Sequence, residues 1–593
     1  MRWGLLLKWL AGAWLVGLAT GAPAGLLADP RAVPGEAWIV FSVPDATAAW
    51  KALSATPVYK DTLALMASPV VGLPAWRELA AEQRQVEKEI GFALTGENLT
   101  ALVAGFDVVW LAPRDSEASW ACIFRVRDEA RFPKIFASLQ RRMARKGARG
   151  PEATSATVRR ESSGDVEIVA TETEPGLALA RLSAQRFVLA NRAAAIRLVI
   201  EQCRATEGLP ESARFRQAIG GLDLQEKDPD AFLFVDASRL APSLRQARLL
   251  GLPLASLTRA PTAFAAAFRI EPNAVRIESF LPYAEPDREA LAERYRAHQP
   301  VRLQALDFIS SAPLAFTARN TFDGLALYRS LRAVVLQTIP GMIPADQTAE
   351  ENLDARESDF RRRMGFDLRE DLAAAIGPEA FIELVDLRLD PLIPLPVAEL
   401  VAGVQVRDRE KMDRVMQGLE KSLGQVAAPG APPARNSRGP VSENYRGQTI
   451  RSFVFPQAPI YSLAYARAGD FLLVGIGVQS IRGAIDRAQG RGKRFQAEAT
   501  YASLRPYLHE ECNEIFVLNI AKLAAMGREI VGRLAKGTPP QAEAARQAEQ
   551  ILRPLARIAA VGLSTAGDAH GLHTRGAIAF RPAPKKAPAS RKR

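Results

Sequence analysis

Residues 122–143 read C-I-F-R-V-R-D-E-A-R-F-P-K-I-F-A-S-L-Q-R-R-M, a strand, a cap and a helix in succession. Cys122, Phe124 and Val126 alternate with Ile123, Arg125 and Arg127, the two-residue period of a strand. Asp128 stands at the N-cap position, where a carboxylate accepts the free backbone N–H groups of a first helical turn. Phe132, Ile135, Phe136, Leu139 and Met143 follow at helical spacing and make one apolar stripe. The same order returns at Gly403–Leu423, G-V-Q-V-R-D-R-E-K-M-D-R-V-M-Q-G-L-E-K-S-L. Its stripe is Met412, Val415, Met416, Leu419 and Leu423, and V-R-D returns as Val406, Arg407 and Asp408. This repetition predicts a tandem duplication.

The flanking sequence repeats in the same order. Upstream of the first copy lie a strand at Ala37–Val43, a helix after Pro44-Asp45, Gly91-Phe92-Ala93-Leu94 and a strand at Phe106–Leu111. Downstream come a polar loop, strands at Val166–Thr171, Leu177–Leu182 and Phe187–Ala190, a helix from Ala193, a strand at Ala231–Val235 and a hairpin over Phe264–Leu281. The second half answers with Leu314–Thr317, Gly365-Phe366-Asp367-Leu368, Phe381–Val385, Tyr461–Tyr465, Phe471–Val474, Ile515–Leu518 and the hairpin Gly562–Phe580. The offset drifts from about 274 at Gly91/Gly365 to about 284 at Phe187/Phe471, as small loop insertions produce. Short turns join several strand pairs, which makes those pairs antiparallel. The expected fold class is α+β: two tandem homologous domains, each a mainly antiparallel sheet with helices packed on one face. The expected boundaries are 1–28 for an N-terminal signal or anchor, 30–283 and 306–582 for the domains, 284–305 for a charged connector and 583–593 for a basic disordered tail.

The chain has 593 residues, 48% hydrophobic and 24% charged, enough for sizeable cores. A net charge of +12 permits contact with anionic membrane or polysaccharide without requiring it. Three cysteines, Cys122, Cys203 and Cys512, make no disulfide framework. The N-terminus carries Arg2 and Lys8, an apolar core at Trp9–Leu18 and the small residues Ala22-Pro23-Ala24, which reads as an export signal. An uncleaved anchor is the alternative, because apolar character continues to Leu27. Either reading places the protein outside the cytoplasm, in the periplasm or cell envelope, free or anchored to the inner membrane.

The element G-F-D-L-R-E-D-L-A-A-A-I-G-P-E-A-F-I-E-L (Gly365–Leu384) resembles the hallmark of a bacterial exported or membrane-tethered family catalogued as a domain of unknown function. The segment Val33-Pro34-Gly35-Glu36-Ala37 is similar to that family's Pro-rich start. At Gly91–Leu111 the motif departs, with Ala93 in place of the Asp and no Glu after the glycine. The resemblance implies an exported protein and carries over no catalytic residue or ligand. Physically the motif needs no chemistry: Asp367 or a neighbour caps, Leu368 and Leu372 pack, and Gly377 ends the helix.

Candidate sites reduce mostly to structure. Asp45 and Asp236 in the first half are matched with Asn320 and Asn519 in the second. Asp and Asn cap helices almost equally, whereas only Asp serves as a general base. These four, with Asp128 and Asp408, are read as structural caps; for the last two a shared anion or ion-pair site with Arg127 and Arg407 is the alternative. Gly475-Ile476-Gly477-Val478-Gln479-Ser480 lacks the third glycine and the βαβ setting of a dinucleotide loop. His570 and His573 cannot share a metal on a strand, and His509 with Cys512 makes only half a zinc site. No catalytic, cofactor or metal residue is therefore assigned, and no cofactor is expected. Arg141, Arg142, Arg145, Lys146 and Arg149 form a basic helix end, either a solvated face or an anion-binding patch for lipid or polysaccharide. Aromatic interleaving of the kind that binds single-stranded nucleic acid is missing, and no nucleic-acid partner is expected. The expectation is a non-enzymatic envelope protein that binds a partner protein or an apolar or anionic ligand. The alternatives are a hydrolase with a site between the domains and a membrane-tethered scaffold.

Overall fold

The computed structural model describes residues 26–59, 61, 83–111, 119–146, 158–171, 176–205, 207–224, 228–236, 238, 248–249, 252–253, 263–283, 288–338, 348–389, 396–426, 441–454 and 462–581. Residues 1–25 of the signal segment and the basic tail lie outside these residues. Strands of the first half are β1 (Ala37–Val43), β2 (Val103–Leu111), β3 (Ser119–Val126), β4 (Val158–Ser163), β5 (Val166–Thr171), β6 (Ala178–Arg181), β7 (Arg186–Ala190), β8 (Ala231–Val235), β9 (Phe264–Glu271) and β10 (Ala274–Pro282). Those of the second half are β11 (Ala315–Arg319), β12 (Ile376–Leu389), β13 (Pro396–Val406), β14 (Val441–Tyr445), β15 (Gln448–Val454), β16 (Ser462–Ala468), β17 (Phe471–Ile476), β18 (Glu514–Leu518), β19 (Ile558–Gly567) and β20 (Gly571–Phe580).

All ladders in this sheet are antiparallel. In the first half the order is β4-β5-β6-β7-β3-β2-β1-β8-β9-β10. The second half has the corresponding order β14-β15-β16-β17-β13-β12-β11-β18-β19-β20. β10 pairs with β20 along its whole length, from Ala274↔Ala579 to Pro282↔Gly571, so one sheet runs through both halves. β4 and β14 each have a single neighbour among the described residues, which leaves the sheet open at two edges.

Helices cover both faces, which corrects the expectation of one. Ile196, Val199 and Ile200 of α3 (Ala193–Arg204) pack with Val109, Ile123 and Val188. Phe136, Leu139 and Met143 of α2 (Phe132–Lys146) pack on the opposite face with Val108, Cys122 and Leu189. In the second half α6 (Val478–Ala488) and α5 (Arg409–Val426) take the same two positions. The physical reason is visible in the pairs Val108-Val109 and Cys122-Ile123: a strand buried on both sides reads as an apolar run, and each side needs cover.

The V-R-D elements do the same work twice. β3 and β13 end at Val126 and Val406, and the N–H groups of Arg127 and Arg407 donate to Leu102 O and Ala375 O, both at 2.8 Å. Asp128 Oδ1 accepts from Ala130 and Arg131 N–H at 3.0 and 2.8 Å, and Asp408 Oδ1 from Lys411 N–H at 3.1 Å. Gly365 closes the preceding helix at φ 77°, a conformation that suits glycine, and Asp367 accepts from Arg369 and Glu370 N–H, both at 2.8 Å. Gly377 does not end a helix. It sits inside β12 at an irregular register, where a Cβ would meet the Gln405 side chain at 2.8 Å.

Two boundaries move. Leu27, Ala28 and Asp29 are 2%, 1% and 5% exposed, so the first folded unit begins before residue 28. Leu303 and Ala305, expected in the connector, are buried in the second core, behind a helix at Arg288–Ala297. Buried carboxylates hold both approach segments. Asp107 accepts from Ala28 and Asp29 N–H at 3.0 and 2.7 Å, and Glu379 accepts from Ala305 N–H at 2.5 Å. Burial pushes Asp107 up to about 6 and Glu379 up to about 7.

A carboxyl raised in this way binds more protons folded than unfolded between its ordinary and folded values, so its contribution falls as pH rises. For Glu379 the window runs from its ordinary 4.5 to about 7. His509, lowered to about 4 by burial, works in the opposite direction, so the effect is read as a difference between proteins. The stability of the wild type relative to Glu379→Gln is expected to fall by about 3 kcal/mol between pH 4.5 and 7.5. Urea titrations at several pH values measure this, and a pH-independent difference contradicts it.

Candidate functional site

Five of the six expected caps accept backbone N–H groups close after them in the chain. Besides Asp128 and Asp408, Asp45 accepts from Thr47 and Ala48 N–H at 2.9 and 3.1 Å, and Asn519 from Lys522 N–H at 2.9 Å. Asp236 accepts from Ser238 N–H at 3.1 Å and also pairs with Arg214 at 2.9 Å. Asn320 is not a cap: its side chain donates to Gln299 O at 2.9 Å and accepts from Asn513 at 3.0 Å. The Asn320 N–H still donates to Asn513 O, so the chain has not yet turned, and Asp323 caps instead through Ala326 N–H at 3.0 Å.

Of the basic helix end, Arg141 is exposed; the side chains of Arg142, Arg145 and Lys146, and all of Arg149, lie outside the described residues. Cys122 and Cys512 are buried thiols, and burial pushes Cys512 up to about 12. His573 meets Asp568 at 3.0 Å. Among the described residues no cluster of His, Cys, Asp and Glu has the form of a metal site. The Ser480 hydroxyl turns back to Ile476 O at 2.9 Å at the start of α6.

The feature that the sequence did not mark is a bare row on the sheet. Thr317 of β11 lies opposite Ile382 of β12 and opposite Phe516 of β18, so the three side chains share one face. Ile382 is 53% exposed and Phe516 39%. The first half has the same row. Asp236 N–H donates to Trp38 O, and Asn519 N–H donates to Leu314 O, which aligns Phe41 with Thr317. Phe41 lies opposite Val108 and Leu233. There, however, Phe41 and Val108 are only 4% and 6% exposed. Ala49 and Leu53 of α1 (Ala46–Ala55), with Val58, lie in one cluster with Phe41.

In the second half the corresponding helix, α4 (Gly324–Thr338), leans on the turn at Leu368–Ala373 and leaves Leu327 and Leu331 exposed. From α7 (Ile520–Leu534), Leu523, Ile530 and Leu534 are exposed at spacings of seven and four, one stripe of an amphipathic helix. α7 packs on α8 (Pro539–Leu555) and β19, and its Ala521 and Ala524 are buried. Charges near the row are already satisfied: Arg319 pairs with Glu514 at 2.8 Å, and Lys522 with Asp386 at 3.4 Å. Among the described residues the arrangement offers an apolar floor whose neighbouring charges are paired. It suits binding of a hydrocarbon group, and its one polar member, Thr317, turns its hydroxyl to Glu514 at 3.5 Å.

No family model and no curated protein matches the chain. Among solved structures it aligns with crystal forms of TP0453. Form I shares 11% identity over 43% of this chain and 79% of that chain, with a TM-score of 0.20. Form IV shares 11% over 47% and 87%, TM-score 0.22, and form III 10% over 45% and 86%, TM-score 0.23. Similarity at that level carries no argument about this chain.

Proposed function

We propose that this is an exported, non-enzymatic cell-envelope protein, built from two copies of one α+β unit, that binds an acyl chain or similar apolar ligand on its second half. The observation that carries the reading is the row Ile382–Thr317–Phe516, bare where its counterpart Val108–Phe41–Leu233 is covered. Exposed apolar patches of this kind mark sites of apolar contact. The matching order of pairings supports two copies of one unit. The export signal and the motif resemblance at Gly365–Leu384 support the envelope. Among the described residues no helix is long and apolar enough to cross a membrane.

Purification from the cell envelope, followed by solvent extraction and mass spectrometry, tests the ligand. An acyl-bearing molecule is expected in the wild-type extract and not in that of a variant carrying Ile382→Glu and Phe516→Glu; identical extracts contradict the proposal. N-terminal sequencing tests the export reading. The mature chain is expected to begin at Gly25, directly after Ala22-Pro23-Ala24, because Leu27 belongs to the core. A first residue at or beyond Asp29 contradicts this boundary, and retention of Met1 supports the tethered alternative.

A further inference from the structure

Beside the N-terminal segment the first half has a cleft of about 540 Å³ lined by Asp29, Arg31, Arg125, Ser183, Gln185 and Arg186, with Ala28 and Pro30. Arg125 of β3 and Arg186 of β7 are directly opposite each other in the ladder. Like charges so placed on adjacent strands are destabilising. Asp29 answers one of them, accepting from both Arg186 Nε and Nη2, the latter at 3.1 Å. Arg125 Nη2 donates to Pro44 O at 2.8 Å, while its buried Nε has no hydrogen-bond partner. Arg31 adds a third guanidinium at the rim, so the lining holds three cations against one carboxylate, Asp29, with Asp107 engaged behind it.

The second half shows that the fold does not need these charges. Val126 and Val406 donate to Gln185 O and Asp470 O, which aligns Arg125 with Gln405 and Arg186 with Phe471. Gln405 and Phe471 are likewise directly opposed, and both are neutral. An arginine pair where the sister position is neutral, with one guanidinium nitrogen left unsatisfied, calls for an anion. The geometry points to a binding site for a phosphate group in this cleft, held by Arg125 and Arg31 beside the Arg186–Asp29 pair. Guanidinium favours oxyanions of this shape through paired, charge-assisted hydrogen bonds. The phosphate is either free or the head group of an anionic lipid.

Calorimetric titration of the mature chain with inorganic phosphate, at ionic strength matched with chloride, tests the site, with vesicle flotation as the second arm. Arg125→Gln copies Gln405 and is compatible with the fold; it is expected to weaken phosphate binding by about 10-fold or more. Binding to phosphatidylglycerol but not phosphatidylcholine vesicles, lost in Arg125→Gln, assigns a lipid head group; binding to phosphate alone assigns a free anion. The inference is overturned if neither probe binds, or if Arg125→Gln and Arg31→Ser bind as the wild type does. Ile382→Glu with Phe516→Glu leaves phosphate binding unchanged, which separates this site from the apolar row.

Discussion

Replacing Glu278 by alanine is expected to cost about 3–5 kcal/mol of stability, the loss that follows when a buried charge is deprived of its counter-charge. Glu278 sits on β10 at the seam between the halves and is 3% exposed. Its carboxylate meets Arg269 at 2.7 Å and Arg276 at 2.6 Å, and Arg575 across the seam on β20 at 3.8 Å. Arg575 in turn holds Asp223 at 3.0 Å. Removing the one acid at the centre leaves three guanidiniums facing one another, with Arg269 deep in the sheet. Glu278→Gln keeps the shape and some hydrogen bonding and is expected to cost less. Urea denaturation measures both, and a loss below about 1 kcal/mol for alanine shows that the seam does not depend on this network.

The second large effect sets the two halves against each other. Val108→Glu in the first half places a charge in a covered position and is expected to cost several kcal/mol or prevent folding. Ile382→Glu, at the corresponding position in the second half, is expected to change stability by no more than about 0.5 kcal/mol, because the site faces solvent. Combined with Phe516→Glu, it is expected to weaken binding of a fatty-acid probe by about 100-fold, since the hydrocarbon must then contact two carboxylates. Thermal unfolding and probe titration on the same preparations separate the outcomes. Equal destabilisation at 108 and 382 contradicts the claim that the row is bare.

The parts of this structure that were legible in the sequence are local. The V-R-D turns and the caps at Asp128, Asp408 and Asn519 depend on residues within a turn of one another, whereas Gly377, expected to end a helix, lies in a strand, and it is Gly365 that ends one. The face that a strand presents was less legible. The run Phe381-Ile382-Glu383-Leu384 gives no sign that Phe381 and Glu383 are buried while Ile382 is open. In the first half α2 covers Val108 and α1 covers Phe41, and whether their counterparts α5 and α4 reach the second row is a tertiary fact. Asn320 reads as a cap but is not one, because backbone pairing with Asn513 continues one residue past the end of β11 before the chain turns. The opposition of Arg125 and Arg186 requires the register between β3 and β7, strands separated by a helix and three further strands. The N-terminal boundary was missed for a different reason: Leu26-Leu27 reads as the end of a signal because burial in a core and burial in a membrane select the same residues.

The most direct test of the account is equilibrium titration of the mature, delipidated chain with a fluorescent fatty acid. The account predicts saturable binding at one site with micromolar or tighter affinity (about −8 kcal/mol), lost in the Ile382→Glu, Phe516→Glu variant and retained in Arg125→Gln. Absence of saturable binding by the wild type, or undiminished binding by the double variant, contradicts it.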